Sequence, residues 1–363
     1  MIDHIYIEED AFEYPKTKEI LTRTNLPYSI IKQHDFFNDR NSDWNKSKKR
    51  LLLRTFKGKW LKKCPGTKNL ICCNYYVINP IINCPYNCSY CFLQGYVDSP
   101  YISFMVNLDD MYKDLSDEFK DKKDHFFRVG TGEMADSMAI DNILNFNEEL
   151  VEFFSGFNNV ILELKTKTNN IDNILSLKKH NRTVVSWSIN PDKISINEEI
   201  GTANLNKRIE AIKKIVEADF MIGLHFDPII YYDNWESEYY ETINKVFKII
   251  PAEKIAWVSM GSLRFFPFLG DQIKNRFSNH EIFYQEMVKG ADGKYRYPKP
   301  LRIKMYRHIY NTIKNINENI FVYLCMEGRD IWQKVFGYMP DNDVTVGELF
   351  IKYSGPLKDK IKL

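Results

Sequence analysis

From Ile71 onward, short apolar runs alternate with amphipathic helical patterns. The runs ICCNYYVIN (71–79), HFFRVG (125–130), VILELKT (160–166), TVVSWSIN (183–190), FMIGLHFDPI (220–229) and KIAWVSMG (254–261) have the length and β-branched content of strands. Between them LDDMYKDLSDEF, DNILNFNEELVEFF, IDNILSLKKH, KRIEAIKKIVEA and YYETINKVFKII place apolar residues at helical spacing. Six strand–helix repeats predict an α/β chain folded as a partial (β/α)6 TIM-type barrel, an open relative of the eight-stranded form. In such barrels chemistry gathers at the C-terminal ends of the strands. Residues 1–68 read as a polar, partly basic N-terminal extension with helices around 17–24 and 45–55. Residues 69–262 carry the barrel rhythm. Residues 263–363 break it with GADGKYRYPKP, a candidate β-hairpin, then a helix over 301–316, a strand FVYLCM (321–326) and a tail.

At 363 residues, with 44% hydrophobic and 27% charged content, the chain has the composition of an ordinary globular protein with a large core. No stretch has the apolar length of a membrane span, so no membrane partner is expected. The first residues, MIDHIYIEEDAFEYPK, are acidic and aromatic, unlike a signal or transit peptide. A reducing, cytoplasmic setting is the expectation for so many unpaired cysteines. Net charge is only +2, yet residues 46–63 carry nine Lys or Arg and no acid. That stretch is either a phosphate-facing patch or a solvated helix and turn.

Three of the seven cysteines, Cys84, Cys88 and Cys91, sit in INCPYNCSYCFLQ at a Cys-x3-Cys-x2-Cys spacing. Soft thiolates suit the irons of a 4Fe–4S cube, and three of them leave one iron open. Zinc would want a fourth Cys or His close by, and the nearest later histidine is His125. A disulfide knot is disfavoured because seven cysteines cannot all pair. Cys64, Cys72, Cys73 and Cys325 lack a second cluster spacing and are expected to be buried thiols, with no auxiliary cluster.

The triad spacing resembles the signature of the radical S-adenosyl-L-methionine (SAM) enzymes. That resemblance implies a cluster whose open iron chelates SAM and, when reduced, cleaves it to a 5′-deoxyadenosyl radical. An electron donor such as flavodoxin or ferredoxin is then implied. Each strand end becomes a candidate SAM contact. Tyr90 falls at the aromatic position whose backbone meets the adenine. In RVGTGEMADS (128–137), Gly130 and Gly132 would let backbone approach a ligand, and Glu133 would accept from the SAM ammonium. Lys165 and Lys167 are candidates for the SAM carboxylate, and Ser188 or Asn190 for the ribose hydroxyls. A packing or loop-satisfying role is the alternative for each. Beyond SAM, His225 and Asp227 form a candidate acid–base pair or substrate anchor, or a structural pair. Arg264 is a candidate for a substrate phosphate or carboxylate.

The resemblance narrows further. Cys-Pro-x-x-Cys-x-Tyr-Cys with Leu-Gln, SPYISFMVNLDDM (99–111), RVGTGEMADSMAID, WSINP, GTANLNKRIEAIKKI, GLHFDPII with Trp235, and the GADGKYRYPKP hairpin resemble, in order, the spore photoproduct lyase family. This implies a barrel of the radical SAM type, one SAM-chelating cluster and a hairpin that inserts into damaged DNA. Two positions depart from the family pattern. Glu133 aligns where the hydrogen-donating cysteine lies, and Phe92 stands where a tyrosine follows the third cluster cysteine. Neither can replace its counterpart, since a carboxyl O–H bond is too strong to give up hydrogen. Tyr96, Tyr101 and Cys325 are the residues that could stand in. Three functions follow: a lyase-like radical SAM enzyme acting on thymine photolesions in DNA, a same-family enzyme on a peptide, nucleotide or metabolite, or a cluster-bearing sensor.

Overall fold

In the computed structural model the described residues are 2–32, 44–67, 70–277, 280–341 and 348–350. Seven parallel strands form the larger sheet: β1 (Tyr76–Val77), β2 (Phe127–Gly130), β3 (Val160–Thr166), β4 (Thr183–Ser188), β5 (Met221–Ile229), β6 (Ile255–Ser262) and β7 (Val322–Leu324), in that spatial order. Lys62–Lys63 adds an antiparallel edge strand beside β1. Helices Leu108–Asp121, Asn147–Ser155, Leu205–Glu217, Trp235–Phe247 and Lys299–Ile316 lie between successive strands, as parallel crossovers require. The middle strands read as unbroken apolar runs because both faces are covered. Leu162, Leu164, Val184, Val185, Ile222, Leu224, Val258 and Met260 are all fully or almost fully buried.

The sheet is curled, and its two ends meet. Ile71, on the segment entering β1, forms an isolated antiparallel bridge with Glu327, just after β7. Glu327 is itself fixed, accepting from Arg302 at 3.0 Å and from the Tyr306 hydroxyl at 2.7 Å. FVYLCM thus belongs to the barrel sheet rather than to an appended region.

Four expected elements differ. The helix over 45–55 is instead a short helix, Trp44–Ser47, followed by the strand Arg50–Arg54. Leu51, Leu52 and Leu53 carry no period of their own, and pairing with His4–Glu8 and Ile102–Met105 makes them a strand. These segments, with Tyr28–Ile31 and Ile81–Ile82, form a second, five-stranded sheet that the polar look of residues 1–68 concealed. The run 71–79 is a strand only at Tyr76–Val77, because Asn74 adopts a left-handed φ of 52° and turns the chain. Asn145, at φ 48°, likewise splits the expected helix 141–154 into Asp141–Leu144 and Asn147–Ser155. The expected helix over 171–180 is confined to Asp172–Leu175.

Candidate active site

The cysteine loop leaves β1 and is pinned before it reaches the cavity. Asn83, in a left-handed conformation (φ 73°), accepts the Cys84 N–H at 2.8 Å while its amide donates to the Pro100 carbonyl at 2.8 Å. Asn87–Cys88 pairs antiparallel with Glu199–Ile200. Gln94 Nε2 donates to the carbonyls of Cys88 and Ser89 at 3.2 and 3.0 Å. The result aims Cys84, Cys88 and Cys91 into one cavity of 720 Å³ at the C-terminal ends of the strands. Burial pushes the Cys84 thiol up to about 12 and the Cys88 thiol higher. Bound iron would reverse that preference, because a coordinating thiol is deprotonated outright. Among the described residues no three His, Cys, Asp or Glu side chains converge as a single metal ion requires. A cubane, whose ligands stand at separate irons, asks for no such convergence.

Around the thiols the cavity gathers Tyr90, Gly132, Glu133, Asp136, Lys165, Lys167 and Ser188. Tyr90 donates its hydroxyl to Glu199, which forms a fully buried ion pair with Arg208. Lys167 lies 5.8 Å from the Tyr90 ring centroid. Burial pulls its ammonium pKa down, but the Glu199 carboxylate and the Cys88 sulfur outweigh this and raise it, so Lys167 stays charged beside the loop. Asp136 accepts the Lys167 N–H and the Thr166 hydroxyl, each at 2.7 Å, setting the end of β3. Burial raises the Glu133 carboxyl pKa, with its hydrogen bond to Asn79 acting the other way.

Several expected placements change. Asn190 does not line the cavity: its amide donates to Glu199 at 3.0 Å and its carbonyl accepts the Tyr239 hydroxyl at 2.8 Å. Gly130 makes room for the Tyr75 hydroxyl, which would sit 1.6 Å from an added Cβ. His225 and Asp227 both reach the cavity but take different partners. His225 Nε2 lies 2.7 Å from Glu163, which also accepts from Ser186 at 2.6 Å and Trp257 at 3.1 Å. Burial and the Lys165 charge keep His225 below its usual pKa, so it is a neutral donor. Burial alone would push Glu163 up, yet the His225 ring, the Arg128 guanidinium and the Ser186 hydroxyl hold it well below the carboxylate range. Asp227 is clamped by Arg264 through two contacts of 3.2 Å.

Glu163, Asp136 and Glu199 were not singled out from sequence, since a lone acid in a strand or loop has no spacing to mark it. Among the described residues, three of the nine basic residues of the stretch are ion-paired: Arg50 meets Asp3 at 2.8 Å, Arg54 meets Glu8 at 3.5 Å and Lys59 meets Glu118 at 3.4 Å. The expected hairpin is present, Val288–Lys289 pairing with Tyr295–Arg296, which also pairs with Arg264–Phe265. It lowers Asp292 and Lys294 into the same cavity, where Phe92, Tyr96 and Cys325 also lie. Tyr101 is not among the cavity residues.

The family model described as spore photoproduct lyase matches residues 1–321. The spore photoproduct lyase of Bacillus subtilis (strain 168) is 27% identical over 259 residues, covering 69% of this chain and 74% of that protein. The protein of the same name from Clostridium acetobutylicum is 23% identical over 253 residues, covering 68% of this chain and 74% of its own. A solved spore photoproduct lyase mutant with bound AdoMet and dinucleoside spore photoproduct superimposes with a TM-score of 0.80 at 20% identity, over 89% of this chain and 99% of that one. At that identity the likeness is one of fold.

Proposed function

We propose, from the premise that this chain belongs to the spore photoproduct lyase family, that its cavity performs SAM-dependent radical chemistry on a thymine photolesion in DNA. The protein is a radical SAM enzyme of lyase type. The observation that carries the substrate reading is a single cavity lined both by Cys84, Cys88 and Cys91 and by Arg264, Asp292 and the hairpin residue Lys294.

Cys84, Cys88 and Cys91 would hold the 4Fe–4S cluster, and the donor set fits it: three soft sulfurs on a pinned loop. When bound, the cluster and SAM supply a 5′-deoxyadenosyl radical. The chain's own residues bind and orient. Lys167, kept cationic, would face the SAM carboxylate; Glu133 would accept from its ammonium; Gly132 and Ser188 would present backbone and hydroxyl to the nucleoside, with Tyr90 beside it. Arg264, held rigid by Asp227, and Lys294 would meet phosphate oxygens of the lesion backbone. His225 donates to Glu163 from the cavity floor and positions that wall. An electron donor such as flavodoxin or ferredoxin would reduce the cluster.

Glu133 and Phe92 lie inside this cavity, so the departures from the family pattern fall where hydrogen would be returned to the product. The test is anaerobic turnover of the reconstituted, reduced protein with SAM and dinucleoside spore photoproduct. The expected result is 5′-deoxyadenosine together with loss of the lesion. SAM cleavage with the lesion untouched would move the substrate to a peptide, nucleotide or metabolite. Glu133→Cys should raise lesion turnover if the cavity accepts the dinucleoside.

A further inference from the structure

Beside the cysteine loop lies a buried ion pair whose carboxylate shares a face with a cluster ligand. Glu199 stands directly opposite Cys88 where Asn87–Cys88 pairs antiparallel with Glu199–Ile200. Directly opposed residues project from the same face of a ladder, with their Cβ atoms about 5 Å apart. The Glu199 side chain is completely buried, as is that of its ion-pair partner Arg208. Glu199 also accepts the Tyr90 hydroxyl and, at 3.0 Å, the Asn190 amide. One carboxylate thus joins the loop that carries the three sulfurs to the helix Leu205–Glu217 and to the residues that follow β4.

A second observation is how firmly the pair is held. Arg208 Nε donates to the Ala203 carbonyl at 2.8 Å and Nη1 to the Ser188 carbonyl at 2.9 Å. Its Nη2 donates to the Thr202 hydroxyl at 2.7 Å as well as to Glu199. The Ala203 N–H in turn donates to the Lys167 carbonyl at 3.1 Å. The pair is thereby tied to the ends of β3 and β4 and to the cysteine loop at once, so the carboxylate cannot swing away from Cys88. A buried ion pair is weak evidence of stabilisation, because desolvation offsets the attraction. A fixed carboxylate beside a cluster ligand has a chemical consequence instead: nearby charge sets the reduction potential of an iron–sulfur centre.

We propose that Glu199 is a positioning residue that acts on the cluster through Cys88, its negative charge holding the reduction potential down. The proposal rests on the radical SAM reading above and is independent of which substrate the cavity takes. A low potential makes the stronger one-electron donor, which reductive cleavage of a sulfonium demands. Arg208 is the partner that lets the carboxylate stay ionised in a dry interior. The Glu199 charge also acts on Lys167, so neutralising it leaves two cations, Lys167 and Arg208, without their common anion.

The test is the midpoint potential of the full chain after anaerobic reconstitution, followed by electron paramagnetic resonance without SAM or lesion, with iron analysis alongside. Glu199→Gln should keep about four irons per chain and move the potential upward. Glu217→Gln removes the same charge from the exposed end of the helix that carries Arg208 and should leave the potential where it is. A potential for Glu199→Gln equal to that of wild type, with the iron intact, overturns the inference, as does an equal shift in Glu217→Gln. Should Glu199→Gln fail to fold or to hold iron, Glu199→Gln/Arg208→Met decides in its place, because it replaces the whole pair by uncharged side chains. An upward shift in that double variant supports the inference and an unchanged potential overturns it. The substrate reading fails separately: SAM cleavage with the lesion untouched refutes the thymine lesion and leaves these potentials as they stand.

Discussion

Gly130 has no room for a methyl group, since an added Cβ would fall 1.6 Å from the Tyr75 hydroxyl. Tyr75 is enclosed between β2 and Arg128, so Gly130→Ala should cost about 1–3 kcal/mol, read as a lowered thermal midpoint. An unchanged midpoint would show that Tyr75 occupies some other place. Beside it, the neutral His225 donating to Glu163 sets a pH dependence. Its folded pKa lies below the usual 6.5, so as pH falls the unfolded chain takes up the proton first. Stability is therefore complete above about 6.5 and falls on acidification, by at most about 1.4 kcal/mol per pH unit for this one proton. Glu163, held well below its ordinary value, adds a loss of the same sign at lower pH. Urea titrations at pH 7 and pH 5 should show this slope, and His225→Asn should flatten it. At this scale the sequence singled out His225, Asp227 and Arg264, which line the cavity. It could not assign their partners, because those come from other strands: Glu163 lies 62 positions from His225.

Among the elements, the strand His4–Glu8 shows how a polar-looking segment conceals a core. Ile5 and Ile7 are completely buried between Tyr28–Ile31 and Arg50–Arg54. Ile7→Ala should cost about 2–5 kcal/mol, measured by denaturant titration, whereas a surface strand would lose almost nothing. The hairpin was legible from its Gly-Ala-Asp-Gly turn, where Gly293 takes φ 80°. Its position over the cavity was not. Burial and the neighbouring Arg264 charge lower the Lys294 pKa, which favours an anion at that site. Lys294→Ala should weaken binding of a lesion-containing oligonucleotide and reduce the slope of log affinity against log salt by about 1. Equal slopes for the two proteins would place Lys294 away from the phosphates.

Taken as a whole molecule, the barrel turns a short cysteine loop into a site by bringing seven strand ends to one cavity. Cys88→Ala should abolish 5′-deoxyadenosine formation and remove the cluster iron, a loss that metal analysis reads directly. Full SAM cleavage in that variant would refute the triad as the radical-generating centre. The amino-acid sequence by itself determined the strand–helix alternation, the family and the three sulfurs of that loop, because period and spacing are local properties of a chain. Tertiary structure alone decided that Leu51–Leu53 is a strand, that Asn190 turns away from the cavity and that Arg264 is clamped by Asp227. It also decided that Ile71 and Glu327 meet across the closing edge of the sheet. Those outcomes depend on which distant segments a curled sheet makes neighbours, and no stretch of sequence carries that information.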